Sequence, residues 1–205
     1  NIDNIYKREK SRKWINELYD IPKDSILFGY IGRLVDWKNV DFLIYCFSKY
    51  IKKSNLHIHL IIVGDGDNKY LDSLKKLTHK LEVKNIVTFA GFNSEPDRVI
   101  SAFDLMIAPS NKEPFGRTLV EAMIQKTPIL AARGGGHSEI INNEVTGRLY
   151  DHNNVDDFID KCEIFFNNSE SNYEIINKAN DTAYIKYSAH KHAENIIQIY
   201  KNLSI

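Results

Sequence analysis

Short apolar runs closed by glycine or proline alternate along this chain with longer stretches whose apolar residues recur at helical spacing. Ile26-Leu27-Phe28-Gly29-Tyr30-Ile31 ends at Gly32. Residues 39–51 then place Val40, Phe42, Leu43, Cys46, Phe47 and Tyr50 near a helical period. Residues 56–63 run into Gly64-Asp65-Gly66 and are followed by a charged amphipathic stretch to about Leu81. Residues 86–90 end at Gly91, residues 105–108 at Pro109-Ser110, and residues 127–132 just before three glycines. Runs this short, bounded by turn residues and separated by helical patterns, predict βα units and a parallel sheet. Their near-uniform apolarity fits strands covered on both faces by helices. The expected fold is therefore α/β: a doubly wound, Rossmann-like parallel sheet of about six strands. A helix over 6–19 precedes the first strand. Helical patterns over 154–166, 173–184 and 189–203 follow the last one, with Asn167-Asn168-Ser169 as a break between helices.

Composition narrows the possibilities. The 205 residues are 43% hydrophobic and 26% charged, as in ordinary globular proteins, and suit a single domain over 1–205. Lys and Arg (27) balance Asp and Glu (27), which argues against a dedicated nucleic-acid or anionic-membrane surface. An anionic ligand must then be small and met by a few placed groups. Two cysteines, Cys46 and Cys162, are too few for a disulfide scaffold and sit in helical apolar patterns, so both are expected reduced in the core. No apolar stretch reaches the length of a membrane span, and residues 1–13 are polar and charged, so a cytoplasmic chain is expected.

In open α/β sheets, ligands sit beyond the carboxyl ends of the strands, so the residues that follow each run carry the candidate chemistry. After the first come Gly32-Arg33-Leu34 and Lys38, two cations in a loop that opens a helix and suits a diphosphate. After the fourth come Glu113 and Glu121, enclosing seven residues that include Phe115, Gly116 and Arg117. A helix beginning near Gly116 would offer free N–H groups to a phosphate, and Glu121 one turn on could accept hydrogen bonds from vicinal hydroxyls. Gly134-Gly135-Gly136-His137-Ser138-Glu139 follows the fifth run, with glycines that allow close backbone approach and Ser138 as a possible cap of a following short helix. Asp65-Gly66-Asp67 reads as a turn at a strand end, and it fails as a calcium loop because Lys76 stands at the twelfth position. The seven histidines form no ligand cluster; His190 and His192 would not share a helix face. No metal site is expected.

Taken in order, these segments resemble the C-terminal, donor-binding half of a retaining glycosyltransferase of the group 1 family, with the two-Rossmann GT-B architecture. The resemblance runs from Asn1-Ile2-Asp3, similar to an interdomain linker, through Gly32-Arg33-Leu34 with Lys38 and Val63-Gly64-Asp65-Gly66. It continues through Phe89-Ala90-Gly91-Phe92, residues 104–110, the glutamates around Phe115-Gly116, Gly135-Gly136 with Glu139, and Thr146-Gly147. It implies a nucleoside-diphosphate sugar (UDP- or GDP-linked) bound here. A glycan or lipid-linked acceptor would be bound mainly by an N-terminal domain, and the enzyme would dock, if at all, peripherally on a membrane. The resemblance also implies roles: Arg33 and Lys38 at the diphosphate, Glu113 at the donor sugar, Glu121 at the ribose, backbone N–H groups of Phe115, Gly116 and Arg117 assisting, and Gly91 and Phe92 at the base. No cofactor is implied, because cations and helix dipoles would stabilise the leaving diphosphate. Asn39 after the lysine, Pro114, and Arg117 depart from the family's usual residues. A nucleotide-sugar epimerase of the same architecture and a non-catalytic nucleotide-binding module are the competing classes. A generic NAD-binding protein is disfavoured, since the first strand lacks the dinucleotide glycine fingerprint.

Overall fold

A computed structural model of the chain describes residues 6–203. Helix α1 (Arg8–Tyr19) leads into β1 (Ile26–Ile31), α2 (Val40–Lys53), β2 (Ile58–Val63), α3 (Asn68–Lys80) and β3 (Val87–Gly91). The second half runs α4 (Pro96–Ser101), β4 (Leu105–Ala108), α5 (Arg117–Ile124), β5 (Ile129–Ala132), α6 (Gly135–Ile140) and β6 (Arg148–Tyr150). Helices α7 (Val155–Asn167), α8 (Ser169–Tyr187) and α9 (Ala189–Leu203) close the chain. The six strands are all parallel, in the order β3-β2-β1-β4-β5-β6. The direction of winding reverses between β1 and β4, and that switch point is where such sheets form a ligand crevice.

Alternation along the strands builds two cores. Phe28, Leu60, Ile62, Leu105 and Ile107 face α2, α3 and α7, where Phe28 stacks on Tyr50 and Phe166. Leu27, Ile61, Met106 and Ala131 face α1, α4, α5 and α8, and pack with Ile15, Val99, Leu119 and Ala183. Gly29 inside β1 has a packing reason: a Cβ there would lie 2.2 Å from the ring of Phe103. Cys46 and Cys162 are free and buried in the first core, as expected. Asp67 caps α3 through Tyr70 N–H (2.9 Å), so the Asp65-Gly66-Asp67 segment is a strand-to-helix turn.

Three details differ from the sequence reading. The sixth strand falls on Arg148-Leu149-Tyr150, which no apolar run marks, and α4 lies between Gly91 and Leu105, where no element is predicted. Ser138 lies inside α6 rather than ahead of a helix, and its hydroxyl accepts the Gly134 N–H at 2.8 Å. Among the described residues, no helix is long and apolar enough to cross a membrane. The motif residues Asn1-Ile2-Asp3 lie outside the described residues.

Candidate functional site

The loops after β1 and β4 meet because their polar groups satisfy one another. Ser110 Oγ donates to the Trp37 carbonyl (2.9 Å), and Asn39 Nδ2 reaches the Pro109 carbonyl (3.4 Å) and Asn153 Oδ1 (3.1 Å). Asn39 follows the short 3-10 turn Asp36–Lys38 with φ 59°, a left-handed conformation that asparagine tolerates better than most residues with a Cβ.

This docking brings Lys38 against Glu113. The ammonium donates to Glu113 Oε2, both side chains are only 17% exposed, and the Lys38 Nζ also lies 4.5 Å from the centre of the Trp37 ring. The recess they share is lined as well by Tyr30, Ser110, Thr118 and His137. Arg33, by contrast, is exposed and is not among the residues that line the recess. Its carbonyl accepts the Tyr30 hydroxyl (2.9 Å), and burial pushes that phenol well above its usual range, so it stays neutral.

Helix α5 opens toward the same recess. Gly116 is its N-terminal cap with φ 94°, a conformation glycine adopts without strain. The first-turn N–H groups of a helix have no partner within it, and Thr118 in that turn lines the recess. One turn further, Glu121 is partly buried and its carboxyl is pushed up, chiefly by burial, with Arg117 opposing. Arg117 itself is 86% exposed and pairs through Nε with Glu121 Oε1 at 3.2 Å, so its guanidinium attends that carboxylate and not the Lys38–Glu113 recess. Phe115 is half-exposed, edge-on to Tyr187 of α8. Gly91 ends β3 in open surroundings, and Phe92 beside it is 73% exposed.

The three glycines after β5 are needed for backbone-on-backbone packing. The Gly136 N–H donates to the Glu113 carbonyl (2.8 Å), and a Cβ on Gly136 would sit 2.2 Å from the Phe115 carbonyl oxygen. Gly134 and Gly135 meet the carbonyls of Asn111 and Glu113 in the same way. The triglycine is thus the floor under residues 111–116.

The sequence profile of the family described as "Glycosyl transferases group 1" matches residues 11–182, most of the chain. The chain belongs to that family. Over 203 residues it is 29% identical to the poly(ribitol-phosphate) alpha-N-acetylglucosaminyltransferase of Staphylococcus aureus, covering 98% of this chain and 40% of that enzyme. The fold superposes on Anabaena HepE in complex with UDP and glucose with a TM-score of 0.88 at 22% identity, covering 100% of this chain and 55% of that one. A variant of S. aureus TarM in complex with UDP, Fondaparinux and α-GlcNAc-glycerol gives a TM-score of 0.76 at 30% identity, with 89% and 36% covered. The chain spans less than half the length of the first curated relatives it matches.

In this group 1 chain the predicted residues gather at one edge of the sheet. Gly91 is the last residue of β3, and Gly32, Arg33, Lys38, Phe92, Glu113, Phe115, Gly116, Arg117 and Glu121 follow the carboxyl ends of β1, β3 or β4. Lys38, Glu113 and the start of α5 share the recess, while Arg33, Arg117, Phe92 and Phe115 stand outside or around it. Sequence reasoning assigned no role to four polar lining residues, Tyr30, Ser110, Thr118 and His137. For Thr118 the available signal was its position two in a helix capped by a glycine, and for His137 its place directly after a glycine run.

Proposed function

We propose that these residues form the donor-binding half of a glycosyltransferase that transfers a sugar, with retention, from a nucleoside-diphosphate sugar to a glycan or lipid-linked acceptor. The observation that carries this reading is the Lys38–Glu113 pair, held between the two switch-point loops beside the open start of α5. It supplies a cation for a diphosphate and a carboxylate for sugar hydroxyls within one small recess. Lys38, Arg33 and the α5 N–H groups stabilise the departing diphosphate, so the reaction proceeds in a chelator. Glu113 accepts from hydroxyls of the donor sugar, and Glu121 accepts from the ribose. Gly91 and Phe92, at the exposed end of β3, border the base. The attacking hydroxyl is held by parts of the protein beyond these residues, as the share of its relatives that the chain spans suggests.

The test is a transfer assay with UDP- and GDP-sugars in EDTA, run on this chain and on a protein that also carries an acceptor-binding half. Positioning of two reactants can lower a barrier by roughly 7–11 kcal/mol, so this chain alone should bind donor and transfer negligibly. Equal transfer by both proteins would place the acceptor site here and refute the division of labour. An inverted anomer in the product would refute retention. A new sugar formed from the donor alone would favour an epimerase.

Two variants separate the carboxylates. Glu121→Ala should weaken a nucleoside diphosphate about tenfold and leave free pyrophosphate unchanged, since only the nucleotide carries a ribose. Equal weakening of both in a calorimeter would refute the ribose assignment. Glu113→Gln should act in the opposite sense. The carboxylate competes with a diphosphate for Lys38, and its removal should tighten nucleoside diphosphate roughly two- to fivefold while slowing transfer. Looser nucleotide binding in Glu113→Gln would mean that the pair opens no competition.

A further inference from the structure

The reading above leaves His137 without a role. This residue of α6 is 2% exposed, and its Nδ1 lies 3.1 Å from the Ala132 carbonyl oxygen at the end of β5. A carbonyl can only accept, so Nδ1 carries the proton, and the neutral ring presents Nε2 as an acceptor. Burial holds the imidazole below the usual histidine range; Glu113 and Lys38, the charged groups facing it from the two neighbouring loops, act in opposite directions.

His137 lines the recess together with Lys38 and Glu113, and with Nδ1 turned to the Ala132 carbonyl the ring nitrogen left for a ligand is Nε2. A Cβ at Gly116 would lie 3.2 Å from Cδ2, the atom next to Nε2, so a side chain there would press on this edge of the ring and the glycine that starts α5 avoids that. Among the described residues nothing donates to Nε2. The nearby cation, Lys38, is engaged by Glu113. A neutral acceptor at the floor of the recess repels phosphate oxygens, which offer only lone pairs, and suits a hydroxyl. On a nucleoside-diphosphate sugar, the hydroxyls nearest a recess built on Lys38 and Glu113 belong to the sugar.

We propose that His137 Nε2 accepts a hydrogen bond from a hydroxyl of the donor sugar, which makes His137 a donor-sugar contact that favours the sugar nucleotide over the bare nucleotide. The proposal rests on the nucleotide-sugar reading of the site.

The experiment is calorimetric titration with UDP, UDP-glucose, GDP and GDP-mannose of wild type, His137→Asn and His137→Gln. Asparagine keeps a donor for the Ala132 carbonyl and loses the distal acceptor, whereas the glutamine amide oxygen reaches the place of Nε2. His137→Asn should leave the preferred nucleoside diphosphate unchanged and loosen its sugar conjugate roughly three- to tenfold. His137→Gln should regain part of that loss. Equal loosening of nucleotide and conjugate would assign the ring to the phosphates or to folding, and no loosening of either would leave it as packing; both results overturn the proposal. If neither variant folds, the imidazole 15N signals of wild type decide. The Nε2 shift should move on adding the sugar conjugate and stay on adding the nucleotide; the same response to both overturns the proposal. Wild type that binds none of the four ligands would overturn the underlying reading instead.

Discussion

Lys38→Ala should weaken nucleoside diphosphate binding about ten- to a hundredfold, the range that follows from losing one charge-assisted hydrogen bond worth about 1.5–3 kcal/mol. The loss has two parts. The ammonium no longer meets the phosphates, and Glu113, largely shielded from water, no longer has the partner that neutralises it. An unpaired carboxylate in the recess repels the ligand. Pairing the substitution with Glu113→Gln should therefore recover part of the affinity, and the double-mutant cycle measures how much. Calorimetry in EDTA reads all four proteins. If Lys38→Ala bound as tightly as wild type, the diphosphate would lie elsewhere.

Gly136→Ala should lower stability by about 2–4 kcal/mol, which for a chain of this size is a fall in melting temperature of roughly 5–15 °C. The added methyl would sit 2.2 Å from the Phe115 carbonyl oxygen, and that neighbour is backbone that cannot rotate away. The loop carrying Glu113 must then lift off α6, breaking the hydrogen bond from the Gly136 N–H to the Glu113 carbonyl. Nucleotide affinity should fall with stability, because the same shift separates Glu113 and the start of α5 from Lys38. Differential scanning calorimetry with and without nucleotide checks both effects. An unchanged melting temperature would mean that the glycine floor does not hold the loop.

The parallel sheet was legible because β1, β2, β4 and β5 are apolar on both faces apart from His59 in β2, as helices on both sides require. Strand β6 was not, since it contains a charged residue. Arg148 is buried there because Glu144 (3.0 Å) and Asn172 (2.6 Å) partner its guanidinium, and Asn172 comes from α8, 24 residues further along the chain. Helix α4 is six residues long, too short for a period to declare itself. At the site, the pattern located Lys38 and Glu113 in the right loops, but their pairing depends on how Ser110 and Asn39 join those loops. The triglycine read as backbone freedom, which was correct in kind. That it supports residues 111–116 follows only from the tertiary approach of α6. Arg117 offered a cation that, in the fold, attends Glu121.

The central claim is that the carboxyl edge of this sheet binds a nucleoside diphosphate. Its most direct test is amide chemical-shift mapping of the 15N-labelled chain, titrated with UDP and with GDP in EDTA. The account expects saturable shifts with at least one of them, concentrated in residues 32–39, 111–121 and 134–138, and needing about ten- to a hundredfold more ligand in Lys38→Ala. No shifts with either nucleotide, or shifts centred on the opposite edge near Arg8, Pro128 and Tyr173, would contradict it.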